Sequence, residues 1–296
     1  MIALVLVSVV SGIAGVLAWA AVRRWPQADP AAAATHAVAE ELGSRQRIRR
    51  FLRSRLDPAV ATGLALTAAL AGLVVAGAII GVVVYMVRTN SGVVRIDNGV
   101  ERWAADNVNG ISQRVITWMT QLGSTPVIVV LALAGAAYGI WRWRRPSILV
   151  FLTIVVGGQF LLMNLIKFAV DRARPDLHPL GTFSGASFPS GHSTAAAATF
   201  AALALVLGIG RSPSTRALLI GVGVSIAVAV ACSRVLLGVH WFSDVIAGLA
   251  LGWSWFAFCA VAFGGRMLNF GEPAEAAAEG ASAPGTNSRE ADALTR

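Results

Sequence analysis

The sequence predicts an all-α membrane protein, a polytopic bundle with a six-helix core and one extra transmembrane helix ahead of it. Three observations predict it. Of the 296 residues, 56% are apolar and only 13% charged, and the mean hydropathy is +0.69. Soluble domains average about 45–50% apolar and about a quarter charged. Seven apolar stretches come close to or exceed the ~20 residues that cross a bilayer core. The charges collect between these stretches rather than within them. A water-soluble enzyme and a disordered chain are both excluded.

Taken in order, the first stretch, 2–22, has no basic residue before it and is followed by Arg23 and Arg24. It reads as a retained helix with its N-terminus outside, not as a secretory signal. Ser44 to Leu56 sets Ile48, Phe51, Leu52 and Leu56 on one helical face among six arginines. That pattern suits an amphipathic helix on an anionic inner leaflet, or a solvated linker carrying topogenic charge. The second span is 59–87, and the polar stretch 88–114 has the helical spacing of an outer interfacial segment. The third, 125–141, has a soft start, because no charge appears between Val115 and Trp141. The remaining spans are 147–166, the Ala-rich and least hydropathic 193–210, then 217–233 and 245–265. The tail from Gly271 is rich in Ala, Glu, Gly and Ser and is expected to be disordered. Three units are expected: 1–58, an N-terminal helix and basic linker; 59–265, the membrane core; and 266–296, a cytoplasmic tail. Cys232 and Cys259 both lie in apolar runs, so no disulfide framework is suggested.

Orientation follows from the arginines. The basic residues are 23 Arg and one Lys, Lys167, and the net charge is +9. With the N-terminus outside, the inner segments hold 16 basic and 9 acidic residues, and the outer segments 8 and 6. The bias supports that orientation. A basic excess raises nucleic acid as a partner, but no soluble basic stripe exists to bind it. Membrane lipids are the expected partners, nucleic acid is not, and the oligomeric state stays open. A bacterial inner membrane is the expected setting.

Charged residues at membrane depth are costly and are functional candidates by default. Three clusters qualify: Lys167 to Pro175 (KFAVDRARP), Ser187 to Ser193 (SFPSGHS) and Ser233 to Asp244 (SRVLLGVHWFSD). All three fall on the outer side of the derived topology. Lys167, Arg174 and Arg234 offer an ammonium and two guanidinium forks suited to phosphate oxygens, the bland alternative being headgroup snorkelling. Pro189-Ser190-Gly191-His192 enters a helix, where first-turn N–H groups and the Ser190 hydroxyl make an anion cradle. Plain N-capping would explain the serines but not the histidine. His240 and Asp244 are four apart and would share a helix face, the carboxylate accepting from Nδ1 and leaving Nε2 free as a nucleophile. With His192 as a second imidazole, one ring attacks phosphorus and the other protonates the departing oxygen. No metal or cofactor is demanded, since three fixed cations offset the phosphoryl charge. His36 reads as solvated linker, and His178 as a loop histidine without a placed partner.

These residues resemble the type-2 phosphatidic acid phosphatase superfamily, integral-membrane lipid phosphatases related to vanadium haloperoxidases. The family pattern K-x6-RP, PSGH, SR-x5-H-x3-D reads here as Lys167 to Arg174-Pro175, Pro189 to His192, and Ser233-Arg234 to His240 and Asp244, with every spacing kept. The resemblance covers roughly 59–265. It implies a phosphohistidine on His240, with Asp244 as its orienting partner and His192 as general acid. Lys167, Arg174, Ser190, Gly191 and Arg234 then hold the phosphate, while Arg172 and Ser233 have less defined roles. Membrane-length helices argue against haloperoxidase activity. The implied substrates are lipid phosphates: a polyprenyl diphosphate such as undecaprenyl diphosphate, phosphatidylglycerophosphate or phosphatidate. A lipid-phosphate transporter or binder, or a phosphoryl-exchange enzyme, is the alternative. Against transport, no internal repeat is visible and the ionisable residues sit at one face rather than the midplane.

Overall fold

The computed structural model describes residues 1–24, 74, 77–78, 80–177, 179–180 and 185–267. The basic stretch 44–56, His36, His178, the tail and most of the second expected span lie outside the described residues; of that span, 80–87 is helical, and the helix runs on to Arg88. All regular structure among the described residues is helical: α1 (Ile2–Arg24), α2 (Val93–Asn107), α3 (Gly110–Thr120), a 3₁₀ turn (Gln121–Gly123), α4 (Thr125–Trp143), α5 (Ser147–Val170), α6 (Gly191–Gly208), α7 (Pro213–Leu236) and α8 (Phe242–Met267). Six of these, α1 and α4 to α8, are long and apolar enough to cross a membrane. This is a multi-pass membrane protein.

The Ala-rich helix is the least hydropathic of the expected spans for a packing reason. α6 lies at the centre, against α4, α5, α7 and α8, and Ala195 to Ala198 are all buried. Association between helices in lipid depends on close backbone approach, which small residues permit. On α8, a Cβ at Gly248 would stand 2.7 Å from the Ser190 carbonyl oxygen, and one at Gly252 would collide with the Thr194 carbonyl oxygen. The head of α6 and the first turns of α8 are thereby clamped together. The α5–α8 contact gains a polar tie as well, the Trp255 indole donating to the Val155 carbonyl at 3.0 Å.

α1 docks on α7 by the same means. A Cβ on Gly15 would lie 2.7 Å from the Gly221 carbonyl, and one on Gly221 would lie 2.8 Å from the Gly15 carbonyl. Ala3, Val7, Ser11 and Gly15 form the buried stripe of α1. The soft start of the third expected span is resolved at Thr125. Gly123 in the preceding 3₁₀ turn packs so tightly that a Cβ would meet Val230 Cγ1 at 2.6 Å and the His192 carbonyl at 2.9 Å. The polar stretch 88–114 forms α2 and the start of α3. These two helices lie at the end of the bundle where α5 and α7 finish and α6 and α8 begin.

Candidate active site

That end of the bundle is where the three clusters meet. Lys167 is in the last turn of α5, Ser190 caps α6, Arg234 is in the last turn of α7 and Asp244 is in the first turn of α8. After α5 the chain turns through Asp171, whose φ of 44° is left-handed, a conformation that short polar side chains tolerate better than most. Arg88 donates to the Ala169 and Val170 carbonyls at 3.3 and 3.4 Å, satisfying acceptors that a helix end leaves open. The loop then folds back. Ser187 N–H bonds to the Arg172 carbonyl at 2.7 Å and Ser190 N–H to the Asp244 carbonyl at 3.0 Å. Buried Phe188, packed with Met163, Ala247 and Leu251, anchors it.

His240 is not on a helix, as its spacing from Asp244 had suggested. It occupies the turn before α8, and the pair meets because Asp244 reaches back from the third helical position. Asp244 Oδ2 accepts from Trp241 N–H at 3.0 Å, half of a capping box. The same oxygen lies 3.5 Å from His240 Nδ1 and accepts from the Ser187 hydroxyl. On the opposite edge of the ring, Nε2 faces Arg174 Nη1 at 3.3 Å. A guanidinium only donates, so Nε2 presents its lone pair there and Nδ1 carries the proton. Burial pushes His240 down to about 4, with Asp244 opposing and Arg234 and Arg174 reinforcing the shift. The ring is therefore neutral at ordinary pH.

Arg174 is the cation at Nε2, and Lys167 shares a carbonyl with it. Lys167 Nζ donates to the Ala186 carbonyl at 2.5 Å, and Arg174 reaches the same oxygen at 3.4 Å as well as the Gly185 and Val239 carbonyls at 3.0 and 2.7 Å. Arg234 is 1% exposed, and its Nη1 donates to Thr120 Oγ1 at 3.0 Å. Lys167, Arg174 and Arg234 all act electrostatically on His192, as does His240. His192 itself is backed by the 3₁₀ turn through Gly123. Ser190 Oγ accepts from Ser193 Oγ at 2.9 Å and from Ser193 N–H at 3.5 Å, so the N-capping reading of this serine holds alongside any contact with an anion. Gly191 faces Met163, with 3.3 Å between a built Cβ and Cε.

Sequence reasoning missed four participants. Ser187 was inside a recognised cluster without a role. Asp97 lies in the polar stretch 88–114 and Thr120 in the uncharged run after it, where nothing in the local pattern separates them from interfacial residues. Ser243 bonds to Asp97 through both its N–H and its hydroxyl, at 2.8 and 2.7 Å. Only the backward fold of α2 onto α8 reveals these partners. Arg172 turns away from the cation cluster, to Asp244 at 2.6 Å and Asp97 at 2.7 Å. Among the described residues, no group of three His, Cys, Asp or Glu side chains is arranged to hold a metal ion.

Comparison with known proteins bears on this arrangement. Residues 146–267 match the PAP2 superfamily. The chain is 34% identical over 140 residues to phosphatidylglycerophosphatase B of Bacillus subtilis, covering 47% of this chain and 68% of that protein. It is 45% identical over 117 residues to the lipid A 1-phosphatase of Rhizobium johnstonii, covering 36% of this chain and 43% of that protein. The match thus spans under half the length of the lipid A 1-phosphatase. Among solved structures, the fold is similar to the transmembrane PAP2-type phosphatidylglycerolphosphate phosphatase from Bacillus subtilis, with a TM-score of 0.59 and 29% identity over 63% of this chain and 93% of that one.

Proposed function

The chain belongs to the PAP2 superfamily, and on that premise we propose that it hydrolyses a phosphomonoester or diphosphate of a membrane lipid at the outer membrane face through a phosphohistidine. One observation carries this reading. The His240 ring has its Nδ1 edge on a carboxylate and its Nε2 edge on a guanidinium, the polarity a nucleophile for an anionic phosphoryl group needs.

The chemistry runs in two displacements. Nε2 of His240 attacks phosphorus, forming an N–P bond as the P–O bond to the leaving lipid alcohol or phosphate breaks. His192, entering as the imidazolium, donates a proton to the departing oxygen and is left neutral. Water then attacks the phosphohistidine, His192 takes its proton, and the N–P bond breaks to release phosphate and restore His240. Lys167, Arg174 and Arg234 offset the charge spread over the phosphoryl oxygens, and Ser190 with Gly191 and the first turn of α6 supplies further donors. No metal enters the scheme. The excess of arginine on the opposite side, 16 basic residues against 8, supports an extracytoplasmic site in an inner membrane.

The substrate class is a lipid whose phosphate reaches the bundle end while its tails stay between helices. Purified protein in EDTA is expected to release phosphate from at least one of a polyprenyl diphosphate, phosphatidylglycerophosphate, phosphatidate or a lipid A 1-phosphate. Absence of release across that panel, with lipid flux in proteoliposomes, would favour transport instead.

A further inference from the structure

Arg172 makes contacts that phosphate binding does not explain. Its Nη1 donates to Asp244 Oδ1 at 2.6 Å and to Ser243 Oγ at 2.8 Å, and its Nη2 donates to Asp97 Oδ2 at 2.7 Å. The guanidinium lies over the Trp241 ring at 5.1 Å. Asp97, on α2, is 1% exposed. Besides Arg172 it accepts from Ser243 twice, through N–H at Oδ1 (2.8 Å) and through the hydroxyl at Oδ2 (2.7 Å). Asp97 lies outside the stretch 146–267 that matches the superfamily.

Two features of this arrangement bear on His240. The first is competition for Asp244. An arginine fork facing one carboxylate tends to engage both of its oxygens. Here Asp97 occupies Nη2, so Arg172 holds Asp244 by Oδ1 alone. Oδ2 is left to Ser187, Trp241 N–H and His240 Nδ1. The second is the helix start. Ser243 N–H is among the first-turn donors of α8 that have no partner within the helix, and Asp97 supplies the acceptor from a different helix. A carboxylate at a helix N-terminus also interacts favourably with the dipole. Asp97 therefore fixes the turn on which Asp244 stands.

We infer that Asp97 is a positioning residue for the nucleophile: by holding one arm of Arg172 and the first turn of α8, it reserves Asp244 Oδ2 for His240. The inference rests on the phosphohistidine reading. It assigns a task to Asp97, which reaches the reacting atoms through Arg172 and Asp244.

The test compares Asp97→Asn, Arg172→Gln, the double variant and His240→Ala in the purified full-length protein, with phosphate release from phosphatidate as readout. Asp97→Asn keeps side-chain volume and an acceptor for Ser243 N–H while removing the charge. Its kcat is expected to fall on the order of 10- to 100-fold, the scale that outer hydrogen-bond partners carry at ligating histidines, with KM within about three-fold. Acting through Arg172, it adds nothing once that residue is neutral: the double variant should match Arg172→Gln within about two-fold, a non-additive pair. Wild-type kcat in Asp97→Asn, a loss confined to KM, or a double variant ten-fold or more below Arg172→Gln overturns the inference. If Asp97→Asn alone does not fold, as read by thermal melting, the double variant against Arg172→Gln carries the same decision, because with Gln at 172 the loss of the Asp97 charge breaks no ion pair and leaves one carboxylate without that cation instead of two. His240→Ala separates the two levels: activity retained there overturns the phosphohistidine reading, whereas its loss beside an unimpaired Asp97→Asn overturns the role of Asp97 only.

Discussion

Arg172 and Arg174 stand two residues apart on one loop and have opposite surroundings. Arg172 bridges two buried carboxylates, Asp97 and Asp244, and its positive charge is matched within the protein. Arg174 meets backbone carbonyls and the Nε2 edge of His240, beside Lys167 and within the field of Arg234. The carboxylate side of the ring is a closed hydrogen-bonded network, whereas on the cation side Lys167 and Arg174 share the Ala186 carbonyl and Arg174 reaches Nε2. The contrast teaches that one loop can send neighbouring residues of one type to opposite edges of the His240 ring, Arg172 to its Asp244 side and Arg174 to its Nε2 side.

Removing the ring where the two sides meet is the harshest way to break this comparison. His240→Ala is expected to lower phosphate release at least about 10³-fold, as loss of a covalent nucleophile does. Activity within ten-fold of wild type, measured on phosphatidate or a polyprenyl diphosphate, would sink the nucleophile assignment.

The two arginines should then separate in what they lose. Arg174→Ala is expected to cut kcat/KM about 10²-fold, the scale of one transition-state donor, with little change in melting temperature. Arg172→Leu leaves Asp97 and Asp244 buried without their shared cation and is expected to destabilise by about 3–5 kcal/mol, read in thermal or denaturant unfolding. Equal melting losses in the two variants would erase the distinction between the sides.

Acid sharpens the comparison more gently. The neutral ring is the reactive form, and burial holds His240 at about 4. Protonation of His240 should therefore leave kcat/KM intact from about pH 7 to about pH 5. Stability moves the other way with acid. Between the ordinary 6.5 and about 4 the unfolded chain binds a proton at His240 that the folded chain does not, so unfolding free energy falls as pH drops through that window. A His240 imidazole that titrates near 6.5 by NMR in the wild-type protein would show a ring exposed to water.

The smallest effect on catalysis is expected far from both sides. Gly15→Leu forces α1 away from the Gly221 backbone and should cost about 1–3 kcal/mol, as overpacking does. Its kcat/KM should stay within about two-fold, because distant sites are usually independent. A ten-fold loss would mean that α1 positions the site through its contacts with α7.

Much of this was legible in the linear chain because the bilayer imposes it. Spans 147–166, 217–233 and 245–265 reappear as α5, α7 and α8, each a few residues longer at its ends, since backbone in lipid must satisfy its own hydrogen bonds. Lys167, Arg174, His192, Arg234, His240 and Asp244 stood out because charge at membrane depth is expensive. Asp97 and Thr120 did not stand out, being polar residues in the segment between spans where they carry no cost until another helix covers them, and Ser243 lay inside a recognised cluster without a role of its own. The helical pairing expected for His240 and Asp244 failed for a related reason. The i,i+4 rule assumes both residues lie within the helix, whereas α8 begins at Phe242 and the pair closes through a capping interaction instead.

By itself the sequence determined the helical membrane class, the end of the bundle where charge gathers, and which cations and imidazoles gather there. Periodicity, hydropathy and charge bias act on each segment alone, so a linear chain carries them in full. Tertiary structure alone decided which way each side chain turns. It made Arg172 a bridge and Arg174 a phosphate candidate, brought Asp97 from α2 to the head of α8, and let glycines at 15, 221 and 248 bring backbones into contact. Those choices depend on partners distant in sequence, and a residue's cost of burial is defined only once its neighbours are in place.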